Sequence, residues 1–252
     1  MPKIIKKRPA RKKTAQENEV KSAALQALDK IKQRQKQVVT GVSVIAALII
    51  LYVIFALYSS SMSKKAYSLE MKAYNIYYSD TSGESMSEED RWKKALELYK
   101  KSVDIKASPT ALFYLGNCYF NLKDYDNAIK EYNLLVDKFS SEEGILPLVY
   151  QKLASAYFKT NQNDKALETL GRLAGVDDGI FKDTALILEA RYYEGAGEKE
   201  KALEKYREIL AEFPVSPWSS EAGSKVAEEE AGNAKETTKE TEVEKEEKKP
   251  DK

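Results

Sequence analysis

The sequence predicts an all-α chain: a single N-terminal transmembrane helix followed by an α-solenoid of about four helix pairs. Three observations predict it. The stretch Val38 to Tyr58 holds no Asp, Glu, Lys or Arg, although charged residues make up 32% of the chain. A small residue followed four positions later by a large one recurs at Ala95, Ala128, Ala166 and Ala202. The net charge of +1 hides a strongly basic start and an acidic remainder.

At about 1.5 Å of rise per residue, the uncharged run makes a helix close to the ~30 Å hydrocarbon thickness of a bilayer. Of its 21 residues, 13 are Leu, Ile, Val or Phe. Each favours insertion by about 0.3–0.6 kcal/mol, roughly 4–8 kcal/mol together. A core helix of this length would show a polar face. A cleavable signal has a shorter apolar region behind a short basic start, whereas this run follows a 37-residue leader, although Ser59 and Ser61 imitate a cleavage site. The run therefore reads as an uncleaved signal anchor over 38–58.

Residues 1–37 carry 12 Lys or Arg against three acids, and the far bank has only Lys64, Lys65 and Lys72 over a similar distance. That asymmetry favours a cytoplasmic N-terminus, with the rest in the periplasm of a bacterium, the anchor lying in the inner membrane. The cluster KKRPARKK (Lys6 to Lys13) alone would suit nucleic acid; upstream of an anchor it is expected to hold orientation and touch anionic lipid, with no nucleic-acid partner. Val20, Ala24, Leu28 and Ile31 recur at helical spacing, which fits either an amphipathic helix on the inner leaflet or a polar helix with no partner.

The chain has no His and one Cys, which excludes an internal disulfide and removes the usual residue of zinc sites, serine triads and acid-base catalysis. Cys118 falls in an apolar helical pattern and reads as a core residue. The carboxylate pairs Glu142 with Glu143 and Asp177 with Asp178 lie in expected loops with nothing apolar to raise a pKa. No phosphate loop, metal-ligand spacing or nucleophile motif occurs, so neither an enzyme nor a cofactor is expected.

Beyond the anchor the chain repeats. The four small residues are 33, 38 and 36 positions apart, in KALELYKKSV, NAIKEYNLLV, KALETLGRLA and KALEKYREIL. Tyr99, Tyr132, Leu170 and Tyr206 follow them by four. Twelve residues before Ala128, Ala166 and Ala202 stand Gly116, Ala154 and Ala190, each with a Tyr three further on (Tyr119, Tyr157, Tyr193). Small residues facing each other let paired helices approach closely. This pattern resembles the tetratricopeptide repeat, most fully at Leu112, Leu115, Gly116, Tyr119, Ala128 and Tyr132; the first unit, with Leu69, Ala73 and Tyr77, is degenerate. The expected divisions are a basic leader over 1–37, the anchor, a repeat domain over 59–226 and a disordered charged tail over 227–252. The repeat units are expected at about 64–108, 109–142, 147–178 and 183–215, with a capping helix over 216–226.

The order of parts, the opening KKAYSLEMKAYNIYY and the late turn GAGEKEKAL (Gly195 to Leu203) are similar to the YfgM family of bacterial inner-membrane proteins, ancillary to the Sec translocon. That resemblance implies association with translocon subunits through the anchor, and contact with periplasmic chaperones or client polypeptides. AIKEYNLLVDKFSSEE and ALEKYREILAEFPVSPWSSEA also resemble envelope scaffolds of the BamD and CpoB kind, the alternative reading. Homo-oligomerisation is left open.

In a stack of such units, side chains of the first helices line a groove. By register these are Phe113, Asn117, Phe120 and Asn121, then Gln151, Ser155, Phe158 and Lys159, then Ile187, Arg191 and Glu194. Asn and Gln suit a peptide backbone and Phe supplies apolar contact. The same rings also suit packing between helices.

Overall fold

The computed structural model describes residues 13–78, 86–142 and 144–232, and every regular element among them is helical. The expectations for residues 1–12, 79–85 of the first loop, Glu143 and 233–252 of the tail fall outside the described residues. The chain divides into two compact units, Met1–Ser61 and Met62–Lys252.

The first unit holds α1 (Lys13–Gln33) and the start of α2 (Gln35–Tyr78). Val20, Leu25 and Leu28 of α1 are exposed. Helix α2 has 44 residues, its apolar part has a mean hydropathy of 2.8, and none of that part is buried. Apolar surface on every side of a helix has no stable place in water. By length and composition α2 is able to cross a membrane once.

The second unit begins within the same helix. Residues 62–78 of α2 pair with α3 (Glu88–Ile105). Next come α4 (Pro109–Asn121) with α5 (Tyr125–Lys138), α6 (Leu146–Lys159) with α7 (Asn163–Ala174), and α8 (Lys182–Gly195) with α9 (Lys199–Glu212). A last helix, α10 (219–232), closes the series. Ser caps start two of these helices: Ser87 accepts from the Asp90 amide and Ser108 from Ala111, just ahead of Pro109. Each such cap is worth about 1 kcal/mol.

The core is a chain of small clusters. One joins Ala73, Ala95, Tyr99 and Leu115; the next Leu112, Ala128, Tyr132, Val149 and Leu153. A third holds Ala154, Leu170, Leu173 and Ala185, and a fourth Leu186, Ala190, Tyr206 and Ala222. Each links a helix pair to a neighbour's helix, so the apolar interior is continuous only through adjacent pairs, as a solenoid requires.

One turn recurs. Lys123, Asn161 and Gly197, each five residues before the small residue of the second helix, have φ of 63°, 58° and 78°. In each the following amide reaches back to a first-helix carbonyl: Asp124 to Tyr119, Gln162 to Tyr157, Glu198 to Tyr193. This left-handed helix stop turns the chain sharply into the second helix. The connection into α8 is different. Asp177, Asp178 and Gly179 take φ of 51°, 52° and 90° in succession, in a short 3-10 turn (Val176–Gly179).

The end of the domain differs from the sequence expectation. Residues 213–218 contain two prolines and make a turn, with the Ser216 amide donating to the Phe213 carbonyl, so α10 starts at 219 rather than 216. It then runs on to 232, past the expected boundary at 226, because Ala and Glu there are strong helix formers.

Gly116 sets the spacing of α4 and α5. A Cβ at this position would lie 2.4 Å from Cε1 and 2.7 Å from Cδ1 of the Tyr132 ring, whereas a Cβ at Gly171 in α7 meets nothing within 4 Å. Gly116→Ala is therefore expected to destabilise the domain by about 1–3 kcal/mol. Gly171→Ala is expected to stabilise it by about 0.5–1 kcal/mol. Denaturant unfolding of both variants measures the difference.

Candidate functional site

The first helices of successive pairs lie side by side. Tyr78 and Tyr114 share a hydroxyl contact of 3.1 Å between α2 and α4, and the Asn121 amide donates to Tyr77 at 2.9 Å. Lys152 of α6 sits over the Phe120 ring of α4, and Phe158 of α6 stacks on Tyr192 of α8 with centroids 4.2 Å apart. Arg191 of α8 makes two hydrogen bonds to Glu221 of α10, at 2.9 and 2.6 Å. These contacts define one continuous face made of first helices.

Three of the expected groove residues do not open onto that face. Phe113 and Ile187 are 9% and 0% exposed and belong to the core. Both stand three residues before the small residue that approaches the second helix, about 60° round the helix from it. Asn117 is 6% exposed because its side-chain oxygen accepts the Tyr132 hydroxyl proton at 2.6 Å. It satisfies a buried tyrosine instead of meeting a ligand. Gln151 is half-buried, and its backbone carbonyl accepts from Ser155 Oγ at 2.8 Å. Phe120 packs edge-on to Tyr125 and Asn121 is held by Tyr77, one unit away from the cleft described next.

Ser155, Phe158, Lys159 and Arg191 come together. They line a cleft of about 560 Å³ between α6 and α8, with Leu170, Leu188, Tyr192, the turn residue Asn161 and Asn163 at the start of α7. The stacked rings of Phe158 and Tyr192, inclined by 16°, form an apolar platform. Asn161 and Asn163 supply amides beside it. Lys159 is exposed at the cleft and makes no ion pair among the described residues. Sequence register missed Tyr192 and Leu188, which belong to the same face, and missed the two Asn because they lie in the turn and at the start of α7 rather than on a first helix. The single thiol plays no part: Cys118 is buried, and burial pushes its pKa up to about 12.

One wall of the cleft is already engaged. Arg191 lies 5.0 Å from the Trp218 ring while it holds Glu221, and Lys225 of α10 pairs with Glu194, which also accepts from the Tyr206 hydroxyl at 2.8 Å. The Lys225 and Tyr206 hydrogen bonds hold the Glu194 carboxyl below the usual range, and Arg191 does the same for Glu221. Glu194 and Arg191, expected to meet a ligand, instead dock α10.

Two tests follow from this geometry. Asn117→Ala should cost about 1–3 kcal/mol in unfolding experiments by stranding the Tyr132 hydroxyl, with peptide binding unchanged. For α10, depressed carboxyl pKa values mean that its docking energy is complete above the ordinary carboxyl pKa of 4.5 and is lost as pH falls through the lower folded values. The protection of amides in 219–232, taken relative to the intrinsic exchange rate at each pH, is expected to fall at pH 3 and in high salt, which screens such exposed pairs. Arg191→Ala should give the lowered protection already at pH 7.

Family models described as tetratricopeptide repeat match residues 110–141 and 152–217. No curated protein matches the chain. Among solved structures, a crystal structure of MamA protein is similar at 21% identity and a TM-score of 0.51, over 75% of this chain and 94% of that one. The nearly identical TPR-like repeats of a Podosopora anserina kinesin light chain are similar at 15% identity and a TM-score of 0.50, over 72% and 93%. At those identities the likeness is one of fold, and neither repeat model is a catalytic family. The matched residues, the paired helices and the recurring turn identify residues 110–141 and 152–217 as tetratricopeptide repeats.

Proposed function

We propose that this chain is a single-pass membrane protein whose repeat domain binds extended polypeptides in the cleft between α6 and α8. The observation that carries the reading is the continuity of α2: the uncharged run and the first repeat helix are one 44-residue element. Whatever the repeats bind is then bound by a tethered domain. The charge asymmetry of the leader favours a cytoplasmic N-terminus and a repeat domain on the far side of a bacterial inner membrane. An aromatic platform flanked by amides and one cation suits an apolar side chain, a peptide backbone and an acidic neighbour.

In this reading the anchor associates with subunits of the Sec translocon, and the repeats receive emerging polypeptides or the periplasmic chaperones that take them. The resemblance of the opening KKAYSLEMKAYNIYY to the YfgM family supports that setting. An envelope scaffold of the BamD and CpoB kind is the second reading, favoured by the regular α5 and α9 segments.

Photo-crosslinking residues placed in the anchor and at Leu188 distinguish the two in native membranes. Adducts of anchor positions with channel subunits, and of Leu188 with secreted polypeptides, are expected. Phe158→Ala should reduce the Leu188 adduct roughly 5–30-fold, as loss of a central aromatic contact does. Outer-membrane or division proteins in their place would overturn the translocon reading. Protease added to spheroplasts is expected to digest the repeats and spare the leader; the reverse pattern would overturn the orientation.

A further inference from the structure

Beyond the apolar run, α2 carries a second unusual surface. Tyr67, Met71, Tyr74 and Tyr78 are 62%, 39%, 40% and 55% exposed. They are spaced by four, three and four residues, so they form one stripe about 17 Å long on the helix. Ala66 and Ala73, on a different side of the same helix, are the residues buried against the rest of the domain. Three large rings and a thioether in an uncharged row are not scattered surface residues. Nor are they loosely held. Tyr74 and Tyr78 lie 4.7 Å apart, and both meet the Tyr114 ring edge-on, at 5.6 and 5.8 Å.

Alternating spacings of three and four are those of a two-helix seam, in which each side chain enters a hole on a facing helix. An identical stripe, run parallel and in register, presents the matching spacing at every position. Two copies anchored in one bilayer through α2 have that parallel orientation imposed on them, an argument that rests on the membrane-spanning reading above. The area points the same way. With about 150–250 Å² available per ring, the exposed fraction of the stripe amounts to roughly 300–400 Å² per copy. A stable complex formed from free solution buries about 800 Å² per partner. A soluble protein would bind this stripe weakly. A second copy confined to the same membrane gains the effective concentration that makes a small contact sufficient.

We infer that the protein is a parallel homodimer in the membrane, joined along Tyr67, Met71, Tyr74 and Tyr78. The α6–α8 cleft is made of other helices and is left out of this contact, so each copy keeps its own.

Single cysteines at Met71 and Tyr74 on the stripe, and at exposed Ser68 and Lys72 off it, test the inference in the full-length chain in native membranes with an added oxidant. The unmodified chain, whose Cys118 is buried, is the control. Met71→Cys and Tyr74→Cys are expected to form a species of twice the chain mass, while Ser68→Cys and Lys72→Cys form little. Met71→Lys, at an exposed position, should abolish co-purification of two differently tagged copies. Monomer at all four positions, equal yield at all four, or an adduct of another mass would overturn the dimer. If the chain is recovered in the soluble fraction, the membrane reading fails instead, and stripe-specific crosslinks there would still support the seam.

Discussion

The repeat domain depends on close approach between the two helices of each pair. At Ala95, Ala128, Ala166 and Ala202 the second helix carries a buried small residue, and four positions on stands Tyr99, Tyr132, Leu170 or Tyr206, none more than 1% exposed. At Gly116 the Tyr132 ring leaves no room for a methyl group. Burying such a side chain contributes about 1.5–3 kcal/mol, but it also takes a hydroxyl out of water. The units solve that differently. Tyr132 donates to Asn117 and Tyr206 to Glu194, while the Tyr99 hydroxyl has no partner among the described residues. The first pair, whose sequence is the most degenerate, is thus also the one with an unsatisfied joint.

That constraint explains what was legible in the sequence. Pairing, order and the small-to-large register were readable because close packing admits few residues at Gly116, Ala128 and Ala190. The run Val38 to Tyr58 was readable because no other stretch of its length in a chain so rich in charge lacks it. Direction around the helix was not. Phe113 and Ile187 stand about 60° round the helix from the small residue and belong to the core, whereas Phe158 stands about 40° from Ala154 and lines the cleft, so angle alone does not separate core from open face. Asn117 has the right angle and still fails, because the Tyr132 hydroxyl on a different helix claims it. The extent of α10 depended on contacts as well: Trp218 and Lys225 dock it on α8 through Arg191 and Glu194.

The face of first helices changes character along the chain. The face carries tyrosines on α2, Phe120 and the Asn121 amide on α4, and Lys152 and Lys159 on α6, while Arg191 on α8 is neutralised by α10. Assigning the aromatic end to a second copy and the α6–α8 cleft to a polypeptide gives each part an occupant of matching chemistry. It also separates the two roles physically, since the seam belongs to α2 and the cleft to helices two and three pairs further on.

Amide exchange of the full-length chain in lipid nanodiscs, with and without an unfolded polypeptide, tests the anchor and the cleft together most directly. Residues 38–58 should stay protected in both states, and added polypeptide should slow exchange chiefly at the Asn161 turn and around Phe158 and Tyr192. Rapid exchange across 38–58, or protection appearing on α5 and α7 in place of α6 and α8, would contradict a tethered repeat domain that binds through its first helices.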